Sequence, residues 1–389
     1  MYRIVLNETS YYGAGCRSVI ADEIRKRGFK KVLLVTDKDL IRFGVAAKIE
    51  EVLRGADIPY EIYSQIKANP TIRNVQQGVE AFKASGADCM VALGGGSSID
   101  TAKAVGIIVN NPEFADVRSL EGVADTKHRA VPTFAVPTTA GTAAEVTINY
   151  VITDEENRKK MVCVDPNDIP MCAVIDCELM MSMPRGLTAA TGMDALTHAI
   201  EAYVSTNTTP MTDACAEQSI RLVAKYLRKA VANGKDMEAR EGMAYAQYLA
   251  GMAFNNAGLG YVHAMAHQLG GFYSLPHGEC NAILLPHVES FNLISRLDRF
   301  VRIAQMMGEC TDGLSERAAA ELAISAIKTL SKDVGIPTTI TELAARYVKA
   351  IDPRDIPAMV GHAQKDTCAA TNPRTMSLEI ISQLYKDVF

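Results

Sequence analysis

Two side chains that commonly bind divalent metals, Asp194 and His198, lie four residues apart in the stretch from Gly192 to Glu201. On a helix, residues at this spacing share one face about one turn apart, so both could hold the same ion. Two ligands do not complete a metal site. The sequence should therefore supply further ligands elsewhere in the chain.

Further histidines occur in a later segment. His263 and His267 are again four residues apart, and His277 lies between Pro276 and Gly278, where a turn could aim its side chain inward. A single histidine is usually structural, but this clustering favours a metal site. A carboxylate with two or three imidazoles suits Fe²⁺ or Zn²⁺ and leaves an open position for a substrate oxygen. The spacing alone leaves open which of the later histidines bind.

The elements that must position these residues follow from hydrophobic periodicity, and a chain of 389 residues is expected to form two domains. Short apolar runs at 31–37, 60–63, 89–93, 133–137 and 172–176 alternate with helical patterns. This alternation predicts an α/β dinucleotide-binding domain over residues 1–183 with a mainly parallel sheet. Long helical patterns, rich in Ala, Leu, Met, Glu and Lys, predict an all-α metal-binding domain over 184–389; they span 188–203, 212–232, 237–253, 296–307 and 315–334.

A glycine run, Gly94 to Gly96, follows one predicted strand and precedes a predicted helix from Ser98 to Val109. Backbone N–H groups in such a loop can approach a pyrophosphate, and the helix N-terminus favours its negative charge. A tight turn capped by Ser97 or Ser98 would give the same pattern. The run is not the G-x-G-x-x-G of the common Rossmann fingerprint.

Two other strand ends carry candidate cofactor ligands. Asp37 could hydrogen-bond an adenosine ribose and repel a 2′-phosphate, which would select NAD over NADP, or it could simply cap the next helix. The segment from Pro137 to Glu145 clusters hydroxyl groups around Gly141. Such a loop can hold a phosphate or a ribose, although ordinary turns have the same composition.

Composition limits the class of protein. A formal net charge of −5 without a basic block argues against a nucleic-acid partner. Nine cysteines without a C-x-x-C pair are typical of reduced thiols in a cytoplasm. The sequence shows no signal peptide and no apolar stretch long enough to span a membrane. We therefore expect a cytoplasmic protein.

Five spaced motifs stand out along the chain. They are Gly94-Gly95-Gly96-Ser97-x-x-Asp100, Pro137-Thr138-Thr139-Ala140-Gly141-Thr142-x-x-Glu145, Gly192-x-Asp194-Ala195-x-x-His198-x-x-Glu201, His263-x-x-x-His267-x-x-Gly270 and Pro276-His277-Gly278. Together these motifs resemble the iron-dependent (group III) alcohol dehydrogenases, and the resemblance extends to Thr371–Arg374 near the C-terminus. It implies a dehydroquinate synthase-like fold and an NAD-linked enzyme.

The resemblance also implies a role for individual residues. Ferrous iron would bind Asp194, His198, His263 and His277, with Zn²⁺ as the alternative metal, and His267 would stay unligated and relay a proton. The substrate would contact Asn149, Val151 and Phe254. The residues implied in NAD binding are Asp37, Asn69, Gly95, Gly96, Ser97, Asp100, Thr138, Thr139, Thr142 and Lys160.

Two longer runs, 110–122 and 145–156, narrow the resemblance to members that interconvert lactaldehyde and 1,2-propanediol. Gln268 stands where these members carry proline, so 1,3-propanediol or primary alcohols remain alternative substrates. A zinc enzyme like glycerol dehydrogenase or dehydroquinate synthase is the more distant alternative, because such enzymes normally lack the Asp194–His198 pair. The resemblance implies a homodimer or a larger oligomer, free in the cytoplasm or inside a bacterial microcompartment.

Overall fold

A computed structural model describes residues 2–157 and 159–389. The chain divides into two compact units, Met1–Ser182 and Met183–Phe389. The assignment of NAD binding to the first unit and metal binding to the second stays a prediction at this point.

The first unit combines a parallel sheet with helices. Six of its strands pair in parallel in the order β1-β9-β6-β4-β2-β3, and a smaller sheet has the order β5-β8-β7. Its strands are β1 (Thr9–Tyr12), β2 (Val32–Val35), β3 (Tyr60–Tyr63), β4 (Cys89–Gly94), β5 (Gly122–Val123), β6 (Thr133–Pro137), β7 (Asn149–Asp154), β8 (Lys159–Val164) and β9 (Cys172–Ile175). Its helices are α1 (Val19–Arg27), α2 (Lys38–Arg42), α3 (Val45–Gly55), α4 (Ile72–Ser85) and α5 (Gly96–Asn110).

The central strands are apolar throughout because helices cover both faces of the sheet. Along β2, Val32 and Leu34 pack in one cluster with residues of α1 and α3, whereas Leu33 and Val35 pack in another with residues of α4 and α5. This alternation is the two-residue period of an extended strand. The predicted α/β class is therefore confirmed.

The small sheet was not predicted. Its strands β7 and β8 pair antiparallel from Asn149 opposite Val164 to Asp154 opposite Lys159, and β5 pairs parallel with β8. Alternating burial along β7 and β8 shows that one face packs inward and the other does not. This sheet positions Asn149, Val151 and Lys160, which the sequence had assigned to ligand binding.

Residues 183–389, all of which the structure describes, form helices and connecting segments without a strand. The helices are α6 (Arg185–Val204), α7 (Pro210–Ala232), α8 (Met237–Ala257), α9 (Tyr261–Tyr273), α10 (His277–Asn292), α11 (Leu297–Met306), α12 (Glu316–Val334), α13 (Ile340–Arg346), α14 (Ile356–Lys365) and α15 (Leu378–Val388). The predicted helical class is confirmed. Among the described residues, no helix is both long enough and apolar enough to cross a membrane.

One local expectation was wrong. His277 does not project from an isolated turn, because it is the first residue of α10 and follows the N-cap residue Pro276. Proline suits such a position because its fixed φ and missing N–H do not disturb a helix that starts after it. Helix geometry therefore fixes the direction of the His277 side chain.

Candidate metal centre

Helix α6 is the element around which the site is built. It is buried along most of its length, including Asp194, His198 and Glu201. A Cβ at Gly192 would lie 2.2 Å from Leu227 Cδ1 of α7, so this glycine permits the two helices to pack closely. The helix thus presents a row of polar side chains inside an apolar surrounding, which costs free energy unless those side chains are paired or bind a ligand.

Three helices bring candidate ligands together at Asp194. Its Oδ1 atom lies 3.6 Å from Nε2 of His277 on α10 and 3.9 Å from Nε2 of His263 on α9. The ligand atoms of Asp194, His263 and His277 all lie within 4.8 Å of one another. One carboxylate oxygen and two imidazole nitrogens therefore surround a common point.

A second glycine explains how α10 comes so near. A Cβ at Gly278 would lie 2.3 Å from the Ala190 carbonyl oxygen and 3.3 Å from Asp194 Cβ. The N-terminal turn of α10 therefore contacts the backbone of α6 directly. Any larger residue at 278 would push His277 away from Asp194.

His198, the fourth predicted ligand, lies beside this group. Its Nδ1 is 3.9 Å from Asp194 Oδ2, and its ring stacks on His263 with the centroids 4.4 Å apart. On its other side, Phe254 of α8 stacks on the imidazole at 4.3 Å. The structure thus places Phe254, a predicted substrate neighbour, in contact with a predicted ligand.

Buried partners orient the ligands. Nδ1 of His263 lies 2.5 Å from Glu201 Oε2, which leaves Nε2 directed toward Asp194. Burial lowers the pKa of His263 to about 3, so at neutral pH the ring is uncharged, with a lone pair to offer a metal. Burial also raises the pKa of Glu201 to about 7, and hydrogen bonds from the backbone N–H groups of Val262 and Gly260 partly offset this rise. The side-chain amide nitrogen of Asn281 lies 2.7 Å from Asp194 Oδ1 and 3.1 Å from Nε2 of both His263 and His277, so it contacts all three side chains.

His267 has a different environment from the predicted ligands. Its Nδ1 lies 2.8 Å from Asp366 Oδ2, and its ring stacks on that of His277 with centroids 5.3 Å apart. Cys368 completes a second group whose ligand atoms lie within 4.8 Å. His267 is therefore held by a carboxylate and lies next to the proposed metal ligands.

The donor set fits the metal that the sequence predicted. A carboxylate with neutral imidazoles is a ligand combination used for both Fe²⁺ and Zn²⁺. The hydrogen bond from His263 to Glu201 is also the arrangement expected for a metal-binding histidine, whose second nitrogen usually has a carboxylate or carbonyl partner. The residues present are thus suited to bind Zn²⁺ or Fe²⁺, either of which acts as a Lewis acid.

In the first unit, most of the predicted cofactor residues lie near the carboxyl ends of the strands of the large sheet, whereas Lys160 lies on β8 of the small sheet. Asp37, the glycine loop and the Thr138–Thr142 loop follow β2, β4 and β6, which are neighbouring parallel strands. A Cβ at Gly95 would lie 3.2 Å from Thr139, and one at Gly96 would lie 3.0 Å from Thr142. The two loops can therefore pack closely because Gly95 and Gly96 have no side chains.

Several of these residues also have structural partners. Asp37 caps α2 by accepting the Leu40 N–H at 2.8 Å, as the alternative reading of the sequence predicted. Asn69 adopts a left-handed φ of 58°, Ser97 lies in the first turn of α5, and the Thr138 N–H bonds the Gly94 carbonyl. None of these contacts tests NAD binding, so the cofactor role of these residues stays a prediction.

Two charged residues of α5, the partly buried Asp100 and the buried Lys103, hold the strand that carries the predicted substrate residues Asn149 and Val151. Asp100 accepts the Val151 N–H at 3.0 Å, and Lys103 donates to the carbonyls of Thr147 and Asn149 at 2.5 and 2.8 Å. Burial raises the pKa of Asp100 to about 6, opposed by the charges of Lys103 and Lys160. These contacts fix the backbone of β7.

Sequence reasoning assigned no role to Lys103, Glu201, Asn281 and Asp366. Glu201 could have been found, because it lies three residues after His198 and hence on the ligand-bearing face of α6. Asn281 likewise lies one turn after His277. Asp366 is 99 residues beyond His267, so no local pattern links them.

Comparison with known families agrees with this geometry. Residues 7–177 match the model described as iron-containing alcohol dehydrogenase, and residues 188–389 match the C-terminal model of the Fe-containing alcohol dehydrogenase family. The chain therefore belongs to the iron-containing alcohol dehydrogenase family and is an oxidoreductase.

Individual relatives are similar over their full length. Lactaldehyde reductase of Escherichia coli strain K12 is 50% identical over 383 residues, covering 98% of each chain. NAD-dependent methanol dehydrogenase of Bacillus methanolicus is 43% identical over 387 residues, covering 100% of each. A solved 1,3-propanediol oxidoreductase superimposes with a TM-score of 0.95 at 44% identity, covering 100% of both chains.

Proposed function

We propose that the protein is an iron-dependent, NAD-linked alcohol dehydrogenase that interconverts lactaldehyde and 1,2-propanediol. The observation that carries this proposal is the convergence of Asp194, His263 and His277 around one point. The 50% identity to a lactaldehyde reductase supports the substrate. Fe²⁺ would be held by these three residues and His198, and Zn²⁺ is the alternative metal because the same donors bind it.

When bound, the metal supplies Lewis acidity, which polarises an aldehyde carbonyl and lowers the pKa of an alcohol. NAD would supply or accept a hydride, and the residues proposed for each ligand would orient the reacting groups. Phe254, stacked on His198, contributes an apolar surface beside the ligands. Asn149 and Val151, on the strand that Asp100 and Lys103 hold, would contact the substrate.

The proposed NAD site uses the sheet edge of the first unit. Open parallel sheets bind ligands at the carboxyl ends of their strands. Here β4 ends at Gly94 and β6 ends at Pro137, and Asp37 follows the end of β2 by two residues. The N-cap of α5 is Gly95, so its first N–H groups can approach a pyrophosphate. The proposed contacts are Asp37, Asn69, Gly95, Gly96, Ser97, Asp100, Thr138, Thr139, Thr142 and Lys160.

His267 is the proposed proton relay. Its Nδ1 bonds Asp366, which favours the tautomer with the proton on Nδ1 and leaves Nε2 free to accept a proton. Histidine is the side chain that most often serves as a general acid or base, and alcohol oxidation requires such a group to take up the hydroxyl proton. Asp366 would act through His267 as a positioning residue.

A broader short-chain alcohol or diol dehydrogenase is the second candidate. It is favoured by the similarity to a methanol dehydrogenase and to a 1,3-propanediol oxidoreductase, both of which span the whole chain. Gln268, whose amide bonds the Ala264 carbonyl on α9, is one departure from the pattern expected of a lactaldehyde reductase, in which proline follows the histidine.

Substrate comparison separates the two candidates. Protein purified anaerobically and analysed for metal is expected to contain iron, and kcat/KM with NADH should be higher for lactaldehyde than for propionaldehyde or 3-hydroxypropionaldehyde. A preference for 3-hydroxypropionaldehyde would favour the broader reading. Absence of NADH oxidation with all three aldehydes in metal-loaded protein would contradict both.

Asp37 gives a test of the coenzyme site. Asp37→Ser is expected to raise kcat/KM for NADPH relative to NADH by about tenfold or more, since it removes a charge that would repel a 2′-phosphate. Serine can still cap α2, so helix stability is retained. Asp39→Ser, at an exposed site paired with Arg42, serves as the control. An unchanged coenzyme ratio would remove Asp37 from the proposed site.

We further propose a cytoplasmic homodimer. Strand β1 lies at one end of the six-stranded sheet, where its outer edge can pair with another chain. The alternatives are a larger oligomer and confinement in a bacterial microcompartment. Light scattering of the purified protein measures the oligomeric state directly.

A further inference from the structure

Helix α9, which carries His263 and His267, directly follows a glycine. Its N-cap residue is Gly260, which has no side chain with which to cap the first N–H groups. Uncapped N–H groups at a buried helix end are costly, so other residues must satisfy them. In this protein the acceptors come from two distant parts of the chain.

Glu201 of α6 is the first of these acceptors. Its Oε1 accepts the Val262 N–H at 2.8 Å, while its Oε2 lies 2.5 Å from Nδ1 of His263. One carboxylate therefore serves the helix end and the proposed metal ligand at the same time. In an amide at this position one of the two oxygens is replaced by an NH2 group, which would face a donor instead of accepting from it.

Asn372, near the C-terminus, is the second acceptor. Its Oδ1 accepts the Tyr261 N–H at 3.3 Å, and its Nδ2 donates to Asn292 at the end of α10 at 2.9 Å. The neighbouring Thr371 donates to the Leu259 carbonyl at 2.5 Å. The segment thus ties the start of α9 to the end of α10, and each of these helices carries a proposed ligand.

Gly260 permits both contacts. A Cβ at this position would lie 2.7 Å from Asn372 Oδ1 and 2.8 Å from Glu201 Oε1. A side chain would therefore displace both acceptors. The glycine, the carboxylate and the amide form one arrangement, which we call the α9 cap and define as Gly260, Glu201 and Asn372.

We propose that the α9 cap positions His263 for metal binding, so that Glu201 and Asn372 set metal affinity although Asn372 touches no ligand. The proposal deepens the proposed function and rests on its metal site. A histidine ligand requires a fixed ring and tautomer, and partners that orient a ligand typically change metal affinity by about 10- to 100-fold. The cap fixes the helix backbone through both residues and the ring through Glu201.

Cobalt titration tests the proposal without relying on activity. Metal-free protein is titrated with Co²⁺ under nitrogen, and affinity and the d–d absorption spectrum are recorded. Glu201→Gln is expected to weaken Co²⁺ binding by about 10- to 100-fold and Asn372→Ala by about tenfold, both with an altered spectrum. Because both act through one helix end, the double variant should be less impaired than the two effects multiplied together.

Ser219→Ala provides the matched control. Ser219 is buried and its hydroxyl bonds the Ala246 carbonyl between α7 and α8, so its loss lowers stability without touching the cap. This variant should bind Co²⁺ like the wild type. The Glu201→Gln and Asn372→Ala variants are compared with Ser219→Ala at matched melting temperature. The proposal is overturned if both still bind Co²⁺ with wild-type affinity and spectrum.

Two further arms keep the outcome decisive. If Asn372→Ala does not fold, Asn372→Asp takes its place. Aspartate keeps the acceptor for the Tyr261 N–H and loses the donor to Asn292. This variant should bind Co²⁺ more tightly than Gly260→Ala, in which both acceptors are displaced. The reverse order contradicts the cap. Asp194→Ala tests the underlying site, because a wild-type Co²⁺ spectrum that survives this substitution would contradict the proposed metal site itself.

Discussion

Replacing Asp194 by alanine is expected to abolish tight metal binding and to lower kcat/KM for lactaldehyde by about 1000-fold or more. Asp194 Oδ1 lies 3.9 Å from His263 Nε2 and 3.6 Å from His277 Nε2, so the substitution removes the shared anionic donor of the proposed site. Lewis-acid catalysis contributes several kcal/mol to the transition state, and about 4 kcal/mol corresponds to a factor of about 1000. Metal content by mass spectrometry and steady-state NADH oxidation measure the two effects.

The control for this experiment is Asp333→Ala. Asp333 is a half-exposed residue that pairs with Arg228 on the surface of the helical unit, and its loss should change activity less than twofold. An Asp194→Ala protein that keeps its metal and more than a tenth of wild-type activity would exclude Asp194 as a ligand.

The same assay distinguishes a three-ligand from a four-ligand site. Asp194, His263 and His277 form the compact group, while His198 lies 3.9 Å from Asp194 through its Nδ1. If His198 is the fourth ligand, His198→Ala should weaken metal binding. If its role is packing against Phe254, the variant should keep the metal and alter mainly the KM of the aldehyde.

The α/β fold could be predicted from the sequence because its signals are local. The strand at 60–63 was predicted with the observed limits, and the strands near 32 and 89 alternate with helical patterns that the structure confirms. The small sheet was missed because β8 contains a mixture of charged and apolar residues with only a weak two-residue alternation. Tertiary pairing with β7 makes it a strand.

Helices α9 and α10 were harder to predict. Gly270 and Gly271 fall inside α9 and Pro286 inside α10, so local propensity argues against both helices. Burial of most of their residues stabilises both helices, and Glu201 and Asn372 in addition cap the start of α9. Long-range contacts of this kind leave no periodic pattern in a single sequence.

The sequence indicates the candidate ligands of the site but not the residues that orient them. Asp194 and His198 share a helical face, and their spacing alone identifies them as a pair. The partner of His267 could not be inferred, since Asp366 begins a different segment and has no spacing relationship to the histidine. Motif reading thus finds the proposed metal ligands, and the structure adds the residues that fix their direction.

His267→Ala is expected to lower kcat for 1,2-propanediol oxidation by about 100-fold or more while the bound metal is retained. General acid–base catalysis by a positioned side chain typically contributes about 100- to 10,000-fold. The His267 ring stacks on that of His277, but its Nδ1 bonds Asp366 and not the proposed ligand Asp194. Removal of the His267 side chain should therefore leave the metal in place. Stopped-flow kinetics and metal analysis on the same preparation check both statements.

The pH profile separates a relay from a merely structural histidine. If His267 transfers the proton, the alanine variant should lose one limb of the pH dependence of kcat, and added imidazole should restore part of the rate. His362→Ala, which removes an exposed histidine near Phe272, is the control and should leave the profile unchanged. A His267→Ala enzyme with the wild-type rate and pH profile would refute the relay.

Asp366→Asn extends the test to the residue that orients His267. An asparagine can donate its amide N–H to Nδ1, which favours the tautomer whose Nε2 carries the proton and cannot accept one. We therefore expect kcat for alcohol oxidation to fall by about tenfold or more, with KM and metal content little changed. Because Asp366 acts only through His267, Asp366→Asn should have no further effect in the His267→Ala background. A comparable loss in that background would show that Asp366 acts independently of the histidine.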